Sequence, residues 1–282
     1  MTSLPIETKL IACWLVVLLM TSTTSLPITE THLLLIQCFF LITVGIFHGA
    51  YDLHYAFINQ GLKTTHQMFN FIIQYVIQAF SFCLFWLLFP KFGFIIFFLV
   101  ACLHFGFDWQ TYTHYLTSFI FGYSILAISF YAHPNISTQL THILLPPLSS
   151  HLLHSISSLV PITIMMGIWV CVNQNDIHTL LSWSAFLLLG LFFTPLVFFT
   201  IYFCGYHSIK HIKHMRSYLQ PIANSDGMAL IIWLISVIGL GCAYIIFFKN
   251  IHIHPLMTYF MILAGLTMPH MWLHLPKFNK LA

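Results

Sequence analysis

Charged side chains are scarce in this chain. Asp, Glu, Lys and Arg together make up 5% of its 282 residues, whereas they account for about 25% of an ordinary soluble domain. The mean hydropathy is +0.91, so the chain has too few polar groups to cover a surface facing water. The composition therefore excludes a soluble globular domain and predicts an integral membrane protein.

The features that several kinds of partner and cross-link require are also missing. The formal net charge of +3 is carried by few residues, and no basic run alternates with aromatic residues, so no nucleic acid is expected as a partner. The seven cysteines lie in apolar stretches without any C-x-x-C spacing. This argues against both a disulfide framework and a zinc site made of thiolates.

Long apolar segments make up most of the chain. A transmembrane helix needs roughly 20 apolar residues, and the sequence offers about ten such segments. They predict an all-α fold, a polytopic membrane helix bundle of about 8 to 10 transmembrane helices, with residues 1–282 in a single integral membrane domain. The predicted spans are 9–24, 32–57, 67–89, 92–109, 116–131, 159–173, 179–193, 195–215, 228–248 and 256–274.

Some of these spans leave alternatives open. The sixth and seventh spans are short, and Pro195 either separates two helices or kinks one long helix. The span 9–24 is either an anchor peripheral to the catalytic bundle or a signal peptide. The absence of a small-x-small cleavage site favours the anchor.

Histidine is abundant where other polar residues are rare. The chain has 18 histidines, against nine Lys plus Arg and six Asp plus Glu. Ring nitrogens need partners in hydrocarbon, so this excess needs an explanation. Four short clusters lie at the ends of apolar segments, and they are His48-Gly-Ala-Tyr-Asp52, His104-Phe-Gly-Phe-Asp108, His207-Ser-Ile-Lys-His211-Ile-Lys-His214 and Pro269-His270-Met-Trp-Leu-His274.

The order of the spans predicts that these clusters share one side of the membrane. They lie near the ends of spans two, four, eight and ten, and even-numbered spans all leave the membrane on the same side. Most of the basic residues lie on that side: Lys9, Lys63, Lys210, Lys213, Arg216, Lys277 and Lys280. Only Lys91 and Lys249 lie on the other side. Because cytoplasmic loops carry the excess of Lys and Arg, we expect the N-terminus and the clusters on the cytoplasmic side of the cell membrane.

Spacing within the clusters is typical of metal ligands. On a helix, residues four apart share a face, so His207 and His211 can offer two imidazoles to one ion, with His214 on the same stripe. An H-x-x-x-D pattern occurs twice and uses Asp52 and Asp108, two of the four aspartates in the chain. Such a carboxylate either accepts the second ring N–H of a ligating histidine or binds the metal itself.

The donor types restrict the metal. Imidazole suits iron, zinc, copper and nickel, whereas the lack of thiolate pairs and the few carboxylates argue against iron–sulfur, magnesium and calcium sites. A lone histidine in a membrane more often bonds a neighbouring helix, but four clusters on one side favour a shared mononuclear site. Whether His214 and His270 bind the metal directly is left open, and His274 is the weaker candidate.

Aromatic residues beside the clusters are candidates for an apolar substrate tunnel. Most of the 29 phenylalanines are expected only to pack helices and face lipid. A long conjugated hydrocarbon would nevertheless require such side chains around it. The candidates are Phe47, Tyr51, Phe105, Phe107, Trp109, Tyr202, Phe203, Tyr206 and Trp272.

Two other classes of function use histidines in membranes. Di-iron desaturases and hydroxylases carry H-x-x-H-H motifs, but this chain has no His-His pair. A non-enzymatic haem-binding or metal-transport protein would place single ligands deep on paired helices or along a polar path. Here the candidate ligands gather at span ends, which favours an enzyme.

The ordered motifs resemble those of one known family. Phe47-His48-Gly49-Ala50-Tyr51-Asp52, His104-Phe105-Gly106-Phe107-Asp108, Tyr202-Phe203 with His207-Ser208-Ile209-Lys210-His211, and Pro269-His270 resemble the Brp/Blh-type membrane β-carotene 15,15′-dioxygenases, over about residues 40–275. The resemblance implies a membrane enzyme that depends on Fe(II) and uses O2 to cleave the central double bond of β-carotene, or of a related carotenoid, into two molecules of retinal. It also implies iron ligation by His48, His104, His207 and His211.

Two residues depart from the pattern of that family. Phe47 stands where proline is common, and Lys210 stands where arginine is common. Neither position supplies a ligand in the resemblance. The departures therefore concern how the substrate is held more than whether iron is bound.

Overall fold

The computed structural model describes residues 37, 39–109, 114–144, 150–219, 225–243 and 255–274. These residues form helices and no β-strand, so the predicted all-α fold class is confirmed. The predicted span 9–24, together with most of 32–38, lies outside the described residues.

Twelve α-helices follow one another in the described part of the chain. Four short segments of other helix types lie beside them: π-helical turns at Leu41–Gly45 and Phe203–His207, and 3₁₀ turns at His48–Tyr51 and Phe107–Trp109. The α-helices are α1 (Asp52–Asn59), α2 (Thr65–Leu88), α3 (Pro90–Gly106), α4 (Tyr115–Ala132), α5 (Pro134–Leu144), α6 (Ser150–Ser158), α7 (Val160–Asn173), α8 (Ile177–Phe192), α9 (Pro195–Tyr202), α10 (Ser208–Leu219), α11 (Ser225–Ala243) and α12 (Pro255–His274).

Five of the described helical stretches are long and apolar enough to cross a membrane. Two further apolar helices, Ile177–Phe192 and Asp226–Gly239, are shorter. The chain is therefore a membrane protein, but the predicted count of 8 to 10 spans is not confirmed. The five stretches are Thr65–Leu88, Pro90–Trp109, Tyr115–Ala132, His151–Asn173 and Leu256–His274.

Local signals explain where several helices begin. The Thr64 side chain accepts from the Gln67 amide at 3.3 Å and the Gln67 side chain accepts from the Thr64 amide at 3.1 Å, which caps the first turn of α2. The Asp176 side chain caps the first turn of α8 by accepting from the Thr179 amide at 3.0 Å. Pro195 separates two helices and does not kink one long helix, since α8 ends at Phe192 and α9 starts with this proline.

Two compact units divide the described residues. The first takes in those within 1–45, 101–140 and 148–210, and the second those within 46–100, 141–147 and 211–282. In the first unit α4 packs against α7 and α8, and the Trp183 ring lies against Phe121 with centroids 5.0 Å apart. In the second unit the main packing partners are α2 and α12.

Helices α2 and α12 pack antiparallel and close together. The Tyr75 hydroxyl lies 3.4 Å from the carbonyl oxygen of Leu266, and the Cys83 thiol lies 3.2 Å from that of Met261. A Cβ on Gly265 would lie 2.8 Å from the carbonyl oxygen of Ala79. A small residue is therefore needed where these two helices meet.

In the first unit the segment that carries His104 meets α4 backbone to backbone. A Cβ on Gly106 would overlap the carbonyl group of Ser118, and a Cβ on Gly122 would overlap that of Cys102. Gly106 and Cys102 flank His104 along the chain. These two glycines thus fix the place of the second histidine motif.

Gly122→Ala should destabilise the protein because its methyl group has no space against Cys102. Overpacking of this kind costs about 1–3 kcal/mol, so we expect a lower apparent melting temperature in detergent. Gly227→Ala is the control, since nothing lies within 4 Å of a Cβ there. Equal melting temperatures for the two variants would contradict the close approach.

Candidate metal centre

The first unit brings together the histidines of the second and third motifs. His104 lies in the last turn of α3 and His207 ends the π-helical turn after α9. Their ring centroids are 4.5 Å apart, and the two residues are 7% and 3% exposed. A π-helical turn holds one more residue than an α-turn, so it changes the direction in which His207 projects.

Asp108 holds His207 in a defined orientation. The Nδ1–H of His207 donates to Oδ2 of Asp108 at 2.8 Å, and the Tyr202 hydroxyl donates to the same oxygen at 3.0 Å. The Lys210 ammonium donates to the backbone carbonyl of Asp108. With the proton on Nδ1, the lone pair of the His207 ring is on Nε2, where a metal can accept it.

The second unit gathers four further histidines of the motifs. The ring centroid of His48 lies 5.5 Å from that of His211 and 4.8 Å from that of His270. The His211 and His270 centroids are 5.1 Å apart, and His274 lies 4.6 Å from His270. Residues from the turn at 48–51, from α10 and from α12 thus converge on one place.

Asp52 is the hydrogen-bond acceptor at the centre of this group. Nδ1 of His270 lies 2.9 Å from each carboxylate oxygen, and Nε2 of His274 lies 3.1 Å from Oδ1. The Tyr75 hydroxyl donates to Oδ2 at 2.7 Å. Since Asp52 is only 3% exposed, these donors replace the water that a carboxylate would otherwise need.

The carboxylates take their donors from distant motifs. The sequence left two roles open for each aspartate: it either accepts a ring N–H, with the histidine of its own H-x-x-x-D motif as the expected donor, or binds the metal itself. In the structure Asp108 accepts from His207, and Asp52 accepts from His270 and His274. Both motifs change between 3₁₀ and α geometry within their length, so the i, i+4 rule for a uniform α-helix does not describe them.

Two histidines at the ends of the third and fourth clusters, His214 and His274, are placed differently. His214 is exposed, and its ring stacks on Tyr218 with centroids 6.4 Å apart. His274, the weaker candidate on sequence, lies in the group around Asp52. His270 and His274 have the same i, i+4 spacing as His207 and His211. This spacing could have identified His274 as a candidate ligand from the sequence.

Tyr51, Arg216 and Asp226 form a hydrogen-bonded clamp on the 48–51 turn, which carries His48. The Tyr51 hydroxyl donates to Oδ1 of Asp226 at 2.7 Å, and Nε of Arg216 donates to the same oxygen at 3.0 Å. These bonds tie the turn that carries His48 to α10 and α11. The bonds from the Tyr51 hydroxyl and the Arg216 guanidinium lower the pKa of Asp226. The pKa of Arg216 is raised by its bond to Asp226 and by a second bond, which Nε donates to the Tyr51 hydroxyl oxygen at 3.3 Å.

The residues present fit a metal ion. One atom from each of Asp52, His211, His270 and His274 lies within 4.8 Å of the others. These are imidazole nitrogens with one carboxylate, a donor set that suits iron, zinc, copper or nickel. This largely buried group of one aspartate and three histidines can therefore hold a metal ion.

Comparison with known proteins gives this arrangement a family. The model of the family described as beta-carotene 15,15'-dioxygenase matches residues 39–275. The chain belongs to the beta-carotene 15,15'-dioxygenase family. A relative named "Beta-carotene 15,15'-dioxygenase", from uncultured marine bacterium 66A03, is 28% identical over a 257-residue alignment that covers 82% of this chain and 89% of the relative. No solved structure matches.

The matched region of this dioxygenase family member contains all four histidine motifs. It also contains Tyr75 and Phe186, which sequence reasoning did not single out. Tyr75 lies in an ordinary apolar helix, and Phe186 lies in another. Nothing in the local sequence marks either residue, because only the packing of distant helices brings them beside the motifs.

Five of the six predicted tunnel residues of the first unit form one aromatic cluster. Tyr202, Tyr206 and Trp109 are at most 5% exposed and pack around Phe186, whose centroid lies 4.7 Å from that of Tyr206. The ring centroid of Phe105 lies 4.8 Å from that of His207. Phe203 stacks on His207 and lies beside Phe105. The sixth residue, Phe107, is half-buried and packs against Tyr115.

The predicted tunnel residues of the second unit are placed differently. Phe47 packs edge-on against Tyr51 and Trp233, with centroids 5.8 and 6.4 Å away. Tyr51 is fully buried, and its hydroxyl belongs to the clamp with Asp226. Trp272 is 75% exposed, so it lies on the surface of α12.

Asp108→Asn should weaken metal binding by about 10–100-fold, because it replaces the carboxylate that orients His207 with a weaker acceptor. Retained metal can be measured after dialysis against a graded chelator. Asp176→Asn is the matched control, since this carboxylate caps α8 and asparagine caps a helix equally well. Equal retention in both variants would argue against the orienting bond.

The Asp226 clamp should make a small, pH-dependent contribution to stability. A carboxyl with a lowered pKa in the folded state stabilises that state above its ordinary pKa of about 3.9 and loses this effect as the pH falls through the lowered value. The melting temperature of Asp226→Asn should therefore lie below that of the wild type at neutral pH and meet it in acid. A constant difference across this range would contradict the clamp.

Proposed function

We propose that this protein cleaves the central 15,15′ double bond of β-carotene with O2 and releases two molecules of all-trans-retinal. The reaction breaks the C=C bond and the O=O bond of O2 and forms two C=O bonds, so each retinal receives one oxygen atom and no further reductant is needed. The family membership and the name of the relative support this activity. The membrane helices suit a substrate that dissolves in lipid and not in water.

Fe(II) is the proposed cofactor, with one ion per chain. We propose His48, His104, His207 and His211 as its ligands. His104 and His207 lie in ring contact in the first unit, His48 and His211 lie near each other in the second, and His207 and His211 are one helical turn apart on the continuous chain. The observation that carries the proposal is the gathering of buried and half-buried motif histidines, with Asp108 and Asp52 accepting ring N–H bonds.

The residues of the chain divide the work of the reaction. Bound iron would supply the open coordination positions at which O2 is activated. Asp108 keeps the proton of His207 on Nδ1, and Asp52 does the same for His270. Phe105 and Phe203, whose rings touch His207, are proposed to hold the polyene beside the metal and to exclude water.

We also propose that the metal lies near the cytoplasmic face of the cell membrane. The positive-inside rule carries this orientation, because Lys210, Lys213 and Arg216 belong to the segment of the third histidine motif. Lys210 bonds the backbone of Asp108 and Arg216 bonds Asp226. The same basic residues thus take part in the structure around the motifs.

Single alanine substitutions of His48, His104, His207 and His211 should abolish retinal formation in a host that makes β-carotene, and should lower the iron content of the purified protein. His178→Ala is the control, because this residue is exposed near the start of α8. Retinal and iron would be measured on the same samples. Continued retinal formation with full iron content in all four variants would overturn the assignment.

A further inference from the structure

Tyr75 is a half-buried residue that makes a polar contact from a helix that carries none of the histidine motifs. It lies in the middle of α2, and its hydroxyl donates to Oδ2 of Asp52 at 2.7 Å. The Tyr75 hydroxyl oxygen also lies 3.4 Å from the carbonyl oxygen of Leu266 on α12. The antiparallel contact between α2 and α12 therefore brings Tyr75 to the carboxylate that also bonds His270.

His270 is placed like a ligand and not like a helix–helix contact alone. It is 2% exposed, and its ring lies 4.8 Å from that of His48 and 5.1 Å from that of His211 by centroid distance. Nδ1 faces both oxygens of Asp52 at 2.9 Å. A carboxylate on Nδ1 fixes the tautomer with its lone pair on Nε2, the arrangement usual for a histidine that binds a metal.

We propose that His270 is a ligand of the metal that His48 and His211 bind, and that Tyr75 positions it through Asp52. The inference rests on the part of the proposed function that assigns a bound metal, and it does not depend on the substrate. Tyr75 itself touches neither metal nor substrate in this scheme. Its effect passes through one hydrogen bond to Asp52.

The number of donors on Asp52 explains why Tyr75 matters. His270, His274 and Tyr75 all donate to this one carboxylate. Without the Tyr75 hydroxyl, Oδ2 keeps only its bond from His270, and the carboxylate can rotate towards His274. The orientation of the His270 ring would then be less fixed, which weakens the ligand without removing it.

The first test compares Tyr75→Phe with Tyr123→Phe in iron-loaded, purified full-length protein. Both changes remove one hydroxyl with a 2.7 Å hydrogen bond, but Tyr123 donates to the carbonyl oxygen of Ile156, away from any carboxylate. Iron retention would be titrated with a competing chelator. We expect about a 10–100-fold loss of affinity for Tyr75→Phe and wild-type affinity for Tyr123→Phe. Equal affinity in the two variants would overturn the positioning role.

The second test counts imidazole ligands directly. Pulsed electron paramagnetic resonance of the nitrosyl adduct of the bound Fe(II) detects nitrogen nuclei on the metal. His270→Gln should remove one coupled imidazole, whereas His66→Gln, at an exposed position at the start of α2, should leave the signal unchanged. An unchanged signal in His270→Gln would overturn the ligand assignment. Should that variant fail to fold, the Tyr75→Phe titration still tests the proposal, because wild-type affinity in that variant would overturn it.

These measurements separate the inference from the proposed activity. Wild-type protein that binds iron with the expected dependence on Tyr75 and His270, but makes no retinal from β-carotene, would refute the activity and support the inference. Retinal formation by the wild type, with wild-type iron affinity in Tyr75→Phe and an unchanged signal in His270→Gln, would support the activity and refute the inference. Wild-type protein that binds no iron would overturn both.

Discussion

The buried carboxylates of Asp52 and Asp108 constrain the rest of the structure, because a charge surrounded by apolar helices must be matched by donors that water cannot supply. Asp108 takes its donors from His207 and Tyr202, and Asp52 takes its donors from His270, His274 and Tyr75. Each set comes from segments far apart in the chain. The helices of each unit must therefore pack in the one arrangement that brings these groups together.

Close contacts between helix backbones make that arrangement rigid. Gly106 and Gly122 let α3 and α4 touch in the first unit, and Gly265 lets α12 approach α2 in the second. Without a hydrophobic driving force between helices in lipid, such contacts carry much of the packing energy. A histidine placed next to a contact of this kind, as His104 is beside Gly106, cannot shift without disturbing the helix pair.

Much of the helical architecture could be predicted from apolar run length. The predicted spans 67–89 and 256–274 correspond to Thr65–Leu88 and Pro255–His274. The number of membrane crossings could not, because helices such as Ile177–Phe192 are apolar but short, and length alone does not decide whether they cross. The partners of Asp52 and Asp108 were equally out of reach, since the change of helix type inside each H-x-x-x-D motif removes the regular period on which spacing arguments rest.

The sequence by itself determined the membrane class, the all-α fold, the family and the motif histidines around which the metal site is proposed, because composition and short-range spacing follow directly from the order of residues. Only the tertiary structure decided that His270 and His274 share Asp52, that Tyr75 joins them and that His214 faces outwards. Hydrogen-bond partners across helices depend on which faces pack together. The close contacts between helices determine which faces pack together, and the local sequence does not reveal them.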